Sequence, residues 1–286
     1  MSETWRHDRI RVNGVGLHYV TQGEGPLMLM LHGFPEFWYS WRKQIPAFAK
    51  THRVVALDMR GYNESDKPNG RSAYAIERLV ADAAAVIRKL GEGVPAILVG
   101  HDWGGMVAWA SAYRHPDLLR ALIVLNIPHP ARFAAGVLRP RQLLRSWYIG
   151  AFQVPWLPES VLTAGGGRLL KSMLRASSAG KAAFTEADLE AYAEAATRHG
   201  AMTAMINYYR AAYSLAGRRW GVLQLPTLMI WGERDVALGK ELTYGTERYV
   251  ADLTVRYIPD AGHWVQQERP REVNRYMAEF LRRVGA

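Results

Sequence analysis

Three ionisable residues, far apart in this 286-residue chain, could serve one reaction: Asp102, Asp235 and His263. Asp102 stands at the centre of residues 97–109, ILVGHDWGGMVAW. An apolar run of β type ends at Gly100, a glycine-flanked turn follows, and a helical pattern comes next. This is the layout of a sharp strand-to-helix turn that strains its central residue and exposes that side chain. Gly100, Gly104 and Gly105 supply the small neighbours such a turn needs. The helix that starts there would direct its positive end at the central side chain, favouring an anion. An aspartate in this place can also be no more than a helix N-cap. The other residues argue for chemistry. Asp235 in LMIWGERD and His263 in YIPDAGHWVQQERP follow in the chain order acid, then histidine, each after a late strand. Glu233 competes with Asp235 to orient the histidine, and Asp260 reads as a turn residue. In LHGFPEFWYSW, His32-Gly33 ends an early strand. Backbone N–H groups of Phe34 and Trp103 would then form an oxyanion hole.

A carboxylate at the turn selects its own substrates. Attack on an acyl carbon would give a mixed anhydride, a poor route through an ordinary ester or amide. Attack on an sp³ carbon with a leaving group gives an alkyl ester, which water can then cleave. Epoxides and alkyl halides both offer such carbons. A carboxylate is already ionised at neutral pH and needs no base. His263, oriented by Asp235, is therefore expected to activate the water of the second step.

These residues need a frame. RIRVNGVGLHYV reads as a hairpin with an Asn-Gly turn, and PLMLMLHG as a buried strand. HRVVALDMRG, PAILVG, RALIVLN, LPTLMIWGERD and LTVRYI read as further strands. SWRKQIPAFAK, YAIERLVADAAAVIRKLG, GGMVAWASAYRHP, KELTYGTERYV and RPREVNRYMAEFLRRV read as helices between and after them. Such alternation implies a parallel sheet with helices on both faces. From about 129 to 221 no strong strand is legible, and the segment is rich in helix formers. The expected organisation is α/β: a core over 1–128 and 222–286, interrupted in the C-terminal half by a helical cap over 129–221.

Composition sets limits. The chain is 49% hydrophobic and 22% charged, enough for a sizeable core. It has no cysteine, which excludes disulfides, cysteine nucleophiles and thiolate metal sites. The first ten residues lack the apolar stretch of a signal peptide, and no apolar run reaches about 18 residues. A cytoplasmic protein without membrane insertion is expected. The net charge is +10, but the arginines are scattered. Between His129 and Gly221 twelve Arg and Lys face five Asp and Glu, which reads as a basic solvated helical surface. No basic block with aromatic interleaving is present, so nucleic acid is not an expected partner. No His-x-x-x-His or clustered carboxylate pattern suggests a metal, and no cofactor is implied.

The motifs HGFPEFWYSWRKQIP, DMRGYNESDKP, GHDWGGMVAW and DAGHWVQQERPREVN resemble the α/β-hydrolase fold, and within it the soluble epoxide hydrolases. The resemblance covers nearly the whole chain and is weakest in the insertion. Asn63 departs from it, standing where the family usually has a second glycine; asparagine tolerates the positive φ required. The resemblance implies a mostly parallel central sheet flanked by helices, under a helical cap. It also implies two cap tyrosines over the nucleophile, polarising the epoxide oxygen. The segments SWYIGAFQ and INYYRAAYS align Tyr148 and Tyr209 with that role, while Tyr208 and Tyr213 stand nearby as alternatives. Phe34, Trp103, Phe152 and Trp264 would line an apolar pocket. The expected substrate is a small epoxide and the product a vicinal diol, from a monomer or homodimer. A haloalkane dehalogenase is the same-class alternative. It would share Trp103 and could draw a second tryptophan from Trp147 or Trp156, but it often has asparagine where Phe34 stands. Relatives that dehalogenate fluoroacetate use arginine in place of Trp103. A non-catalytic ligand-binding protein on the same fold is the alternative of a different class.

Overall fold

Asn13 and Gly14 lie at φ +48° and +80°, the conformation a two-residue hairpin turn needs. They join β1 (Arg6–Val12) to β2 (Val15–Gln22), antiparallel, with Val12 opposite Val15. The computed structural model describes residues 5–180, 183–212 and 219–286; Tyr213 lies outside them. Six more strands follow: β3 (Leu27–Leu31), β4 (Arg53–Leu57), β5 (Ala96–His101), β6 (Leu119–Leu125), β7 (Thr227–Gly232) and β8 (Leu253–Ile258). All eight form one sheet, ordered β1-β2-β4-β3-β5-β6-β7-β8. It is antiparallel from β1 through β4 and parallel from there on.

The central strands LMLML and AILVGH are buried at every residue, as a sheet covered on both faces requires. Alternate residues feed two cores. On one face, Leu29, Leu31, Val55, Leu98 and Leu122 pack with α2 (Ile76–Leu90) and α3 (Asp102–Arg114) through Leu79, Ala83 and Val107. On the other, Met28, Met30, Ile97, Val99 and Ile123 meet α1 (Ile45–Phe48) and the C-terminal α11 (Pro270–Val284). In α11, Val273, Met277, Phe280 and Leu281 make one buried stripe while the arginines face water, the spacing of an amphipathic helix.

Between β6 and β7 the described chain is helical: α4 (Pro130–Gly136), α5 (Pro140–Arg145), α6 (Trp147–Ala151), α7 (Leu157–Ser177), α8 (Glu186–Thr197) and α9 (Ala201–Arg210). α7 is broken where Gly165, Gly166 and Gly167 take φ of +57°, +67° and +74°. The short α10 (Val265–Glu268) precedes α11. The helix expected over KELTYGTERYV is corrected. Two 3-10 turns, Lys240–Thr243 and Thr246–Arg248, stand there, separated by Gly245 at φ +82°, which a continuous α-helix cannot include. Asn63 takes φ +40°, and its amide donates to Asp58 at 2.8 Å. Among the described residues no helix is long and apolar enough to cross a membrane.

Candidate active site

The parallel strands all deliver their carboxyl ends to one edge of the sheet, where open α/β sheets bind ligands. Phe34 follows β3, Asp102 follows β5, Asp235 follows β7 and His263 follows β8. Asp102 has φ +48°, a conformation non-glycine residues rarely adopt. The turn closes because its neighbours lack side chains. A Cβ on Gly100 would stand 2.5 Å from the Gly104 carbonyl oxygen, and one on Gly104 would collide with the end of β3.

At this edge Phe34 N–H donates to Asp102 Oδ1 at 2.9 Å. Trp103 is the second residue of α3, so its N–H has no carbonyl of its own helix to meet. His263 Nε2 stands 3.8 Å from Asp102 Oδ2, too far for a hydrogen bond. The other ring nitrogen, Nδ1, is 2.8 Å from Asp235 Oδ2. Burial alone would lower the His263 pKa, but the carboxylates of Asp235, Asp102 and Glu36 raise it to about 9. Burial would likewise raise Asp235; His263 and the amide of Asn126 more than reverse this and lower it. Glu233, the competitor for the orienting role, pairs instead with Lys240 at 2.6 Å. Asp260 is exposed and bonded to Arg269.

A cavity of about 520 Å³ opens over Asp102 and His263, and Tyr148, Tyr209, Phe34, Phe152 and Trp264 line it. The Tyr148 and Tyr209 rings are 5.9 Å apart in an edge-on arrangement. Burial first, then the Asp102 charge, pushes both phenol pKa values up, so the hydroxyls keep their protons. Tyr208 points away and donates to the Arg60 carbonyl at 2.7 Å. The Trp103 side chain, half-buried, meets the cavity through Tyr209, to which a side-chain hydrogen bond joins it. Successive helix residues point about 100° apart, and the indole packs edge-on against Tyr209, 5.1 Å between centroids. Trp147 lines the cavity at its mouth, whereas Trp156 does not line it.

Several residues with positioning roles were not singled out from sequence. Asn126, at φ +42°, donates to Asp235 Oδ2 at 2.7 Å and accepts from Gly232 N–H at 2.9 Å. Both His101 ring nitrogens face acceptors: Glu36 at 2.6 Å and the His263 carbonyl at 2.8 Å. Burial would raise Glu36, but His101, Ser40 and Gly33 N–H hold it at about 2. The Arg210 guanidinium donates to the Phe152 and Val154 carbonyls at 2.8 and 2.7 Å, tying α9 to the end of α6. Positive φ at a non-glycine residue is not visible in a sequence, but asparagine after an apolar strand is its usual sign.

Glu268 holds the histidine loop to the insertion. Its carboxylate accepts from Gly262 N–H at 2.9 Å, Trp264 N–H at 3.3 Å and Ala179 N–H at 3.1 Å. The Trp264 indole N–H adds a bond to Ser177 at 2.9 Å. Glu268→Ala leaves these amides unsatisfied, and stability is expected to fall by about 1–3 kcal/mol. Chemical denaturation should register the loss, and an unchanged midpoint would refute this role. The variant should also turn over more slowly even where it is fully folded, because the His263 loop is no longer pinned.

Among known proteins, a profile of the α/β hydrolase fold matches residues 26–270. Human epoxide hydrolase 4 is 41% identical over 282 residues, covering 96% of this chain and 78% of that one. The crystal structure of an epoxide hydrolase from Bacillus megaterium, in complex with an inhibitor, superposes with a TM-score of 0.90 at 36% identity, covering 96% of this chain and all of that one. A variant of an epoxide hydrolase from the same organism, at TM-score 0.89 and 36% identity over 96% of this chain and all of that one, was solved with its product, (R)-3-[1]naphthyloxy-propane-1,2-diol. This likeness covers 96% of the chain. The chain therefore belongs to the epoxide hydrolase family of the α/β-hydrolase fold.

Proposed function

We propose that the protein converts an epoxide to a vicinal diol through a covalent ester on Asp102. The observation that carries this reading is a carboxylate, not a hydroxyl, at a strained strand end, sharing one cavity with two protonated tyrosines and a histidine. An Asp102 oxygen attacks a ring carbon, and the C–O bond of that carbon breaks. Tyr148 and Tyr209 hydrogen-bond the departing oxygen and supply its proton. The product of this step is a hydroxyalkyl ester of Asp102.

Ester formation removes the Asp102 charge, one of the charges that hold the His263 pKa at about 9. The His263 pKa then falls, so the neutral ring, the form that can take a proton from water, becomes available. Water attacks the Asp102 carboxyl carbon, His263 takes a proton, and the oxyanion rests against the N–H groups of Phe34 and Trp103. Collapse breaks the ester, releases the diol and restores the carboxylate. The proton consumed on ring opening is returned on hydrolysis. In this reading the helices from 129 to 221 act as a cap, and residues 1–128 and 222–286 as the catalytic core.

The lining favours an epoxide with an aromatic or alkyl substituent: Phe34, Phe152, Leu170, Leu174 and Trp264 offer it apolar surface. The test pairs an aryl epoxide with a bromoalkane. Diol without halide release is the expected result, and halide without diol would replace this reading with dehalogenation. A single turnover in ¹⁸O-water should label Asp102 and leave the first diol unlabelled; label in that diol would mean direct attack by water.

Tyr148→Phe and Tyr209→Phe are each expected to slow ring opening by about 10²-fold. Cavity shape changes little, since each loses only a hydroxyl. Stopped-flow tryptophan fluorescence should show the loss in the alkylation phase; a loss confined to the hydrolysis phase would contradict the assignment.

A further inference from the structure

The mouth of the cavity is framed by large apolar side chains that face water. Leu144, Trp147, Val236 and Met173 all line it and are 76%, 70%, 53% and 39% exposed. Leu138, just before α5, and Leu143, within it beside Leu144, are also exposed, at 79% and 53%. Contiguous apolar surface of this kind marks an interaction site.

Cations are set into the same surface. Arg139, Arg141 and Arg145 are exposed and line a shallow depression beside α5, where Glu241 is the acidic residue. On α7, Lys171 and Arg175 are paired with Glu190 and Glu186. Among the described residues, no ion pair engages Arg139, which caps α5, or Arg141 and Arg145 within it.

We propose that this face docks peripherally on an anionic lipid surface, so that an apolar substrate passes from the bilayer to the cavity mouth. Two features choose lipid over a second copy of the chain. A twofold contact through this face would set arginines against arginines and would seal the mouth. Lipid headgroups satisfy both halves of the surface. Tryptophan and leucine enter the interfacial layer, and the arginines meet phosphates and the negative surface potential. The inference rests on the proposed epoxide chemistry only for its cargo; docking is read without turnover.

The test uses the full chain with vesicles of phosphatidylcholine alone, or of phosphatidylcholine mixed with phosphatidylglycerol. Cosedimentation is expected with the mixed vesicles, weakening at high salt, together with quenching of tryptophan fluorescence by bromine-labelled acyl chains. Arg139→Glu with Arg141→Glu should weaken binding by about tenfold or more. Hydrolysis of a water-soluble epoxide in vesicle-free buffer should be unchanged. Leu138→Ser should weaken binding by removing apolar contact while leaving the charges in place. The proposal is overturned if neither vesicle binds the chain. It is also overturned if the arginine variant binds as the parent does, or if the face proves to be a dimer contact by sedimentation equilibrium without lipid. Lost vesicle binding in a parent chain that still hydrolyses epoxides would sink docking alone. Vesicle binding without hydrolysis of any epoxide would sink the proposed chemistry alone.

Discussion

Asp102→Asn is expected to lower steady-state diol formation by about four orders of magnitude or more, with the fold and cavity retained. The amide matches the carboxylate in shape and still offers Oδ1 to Phe34 N–H, which now meets Asp102 Oδ1 at 2.9 Å. Asparagine also tolerates the φ of +48°. What it lacks is the electron pair of an anion. Diol quantified by chromatography would check the prediction, with circular dichroism as the control for folding. Turnover within tenfold of the parent would mean that another group attacks the epoxide.

The same variant has a readout that needs no substrate. The folded His263 pKa is about 9, above its ordinary value near 6.5. A raised pKa means that the protonated ring stabilises the fold. That stabilisation is present in full below about 6.5 and is lost as pH rises through about 9. Without the Asp102 charge the folded pKa falls and the window narrows. Thermal midpoints at acid and alkaline pH should therefore differ less in Asp102→Asn than in the parent. An identical difference in both would mean that the two side chains are not coupled.

How much of this was legible in sequence depended on how local each cause was. Asp102 could be read because three glycines and an apolar strand surround it within a few residues. Asp235 and His263 could be read because each lies in the loop that follows a late strand. The choice between Asp235 and Glu233 was settled by rotation: residues two apart leave the turn after β7 differently, and one of them reaches Lys240 instead. That residue 103 opens the helix beside Asp102 follows from the turn, whereas the direction of its ring depends on Tyr209, a partner far along the chain. Gly245 is visible in the sequence, but the positive φ with which it splits KELTYGTERYV into two short turns is not. The Glu36–His101 pair depends on a contact across 65 residues, and the bond from His101 to the His263 carbonyl on one across 162. No local pattern carries such information. Glu268 reads in sequence as one more charge before a proline; its three backbone partners appear only when the insertion and the histidine loop come together.

His263→Gln separates the two halves of the reaction more cleanly than any other change. In the proposed mechanism alkylation needs the Asp102 charge and the tyrosines, and no hydrogen bond joins His263 to Asp102 across their 3.8 Å separation. Hydrolysis needs a base beside the ester. The variant should therefore consume about one equivalent of epoxide at close to the parent rate and then stall. Hydrolysis should be slowed by about 10²–10⁴-fold. Intact mass spectrometry should show the protein heavier by one epoxide, and proteolysis should place the increment on the peptide containing Asp102. Asp235→Asn should give a weaker form of the same trap, because the ring stays but loses its charged partner at 2.8 Å. A variant that stalls without any adduct would assign His263 to ring opening, and one that still forms diol at the parent rate would remove it from the mechanism. The adduct is the decisive outcome. It forms only if the carboxylate is the nucleophile, and it persists only if the histidine acts after the attack.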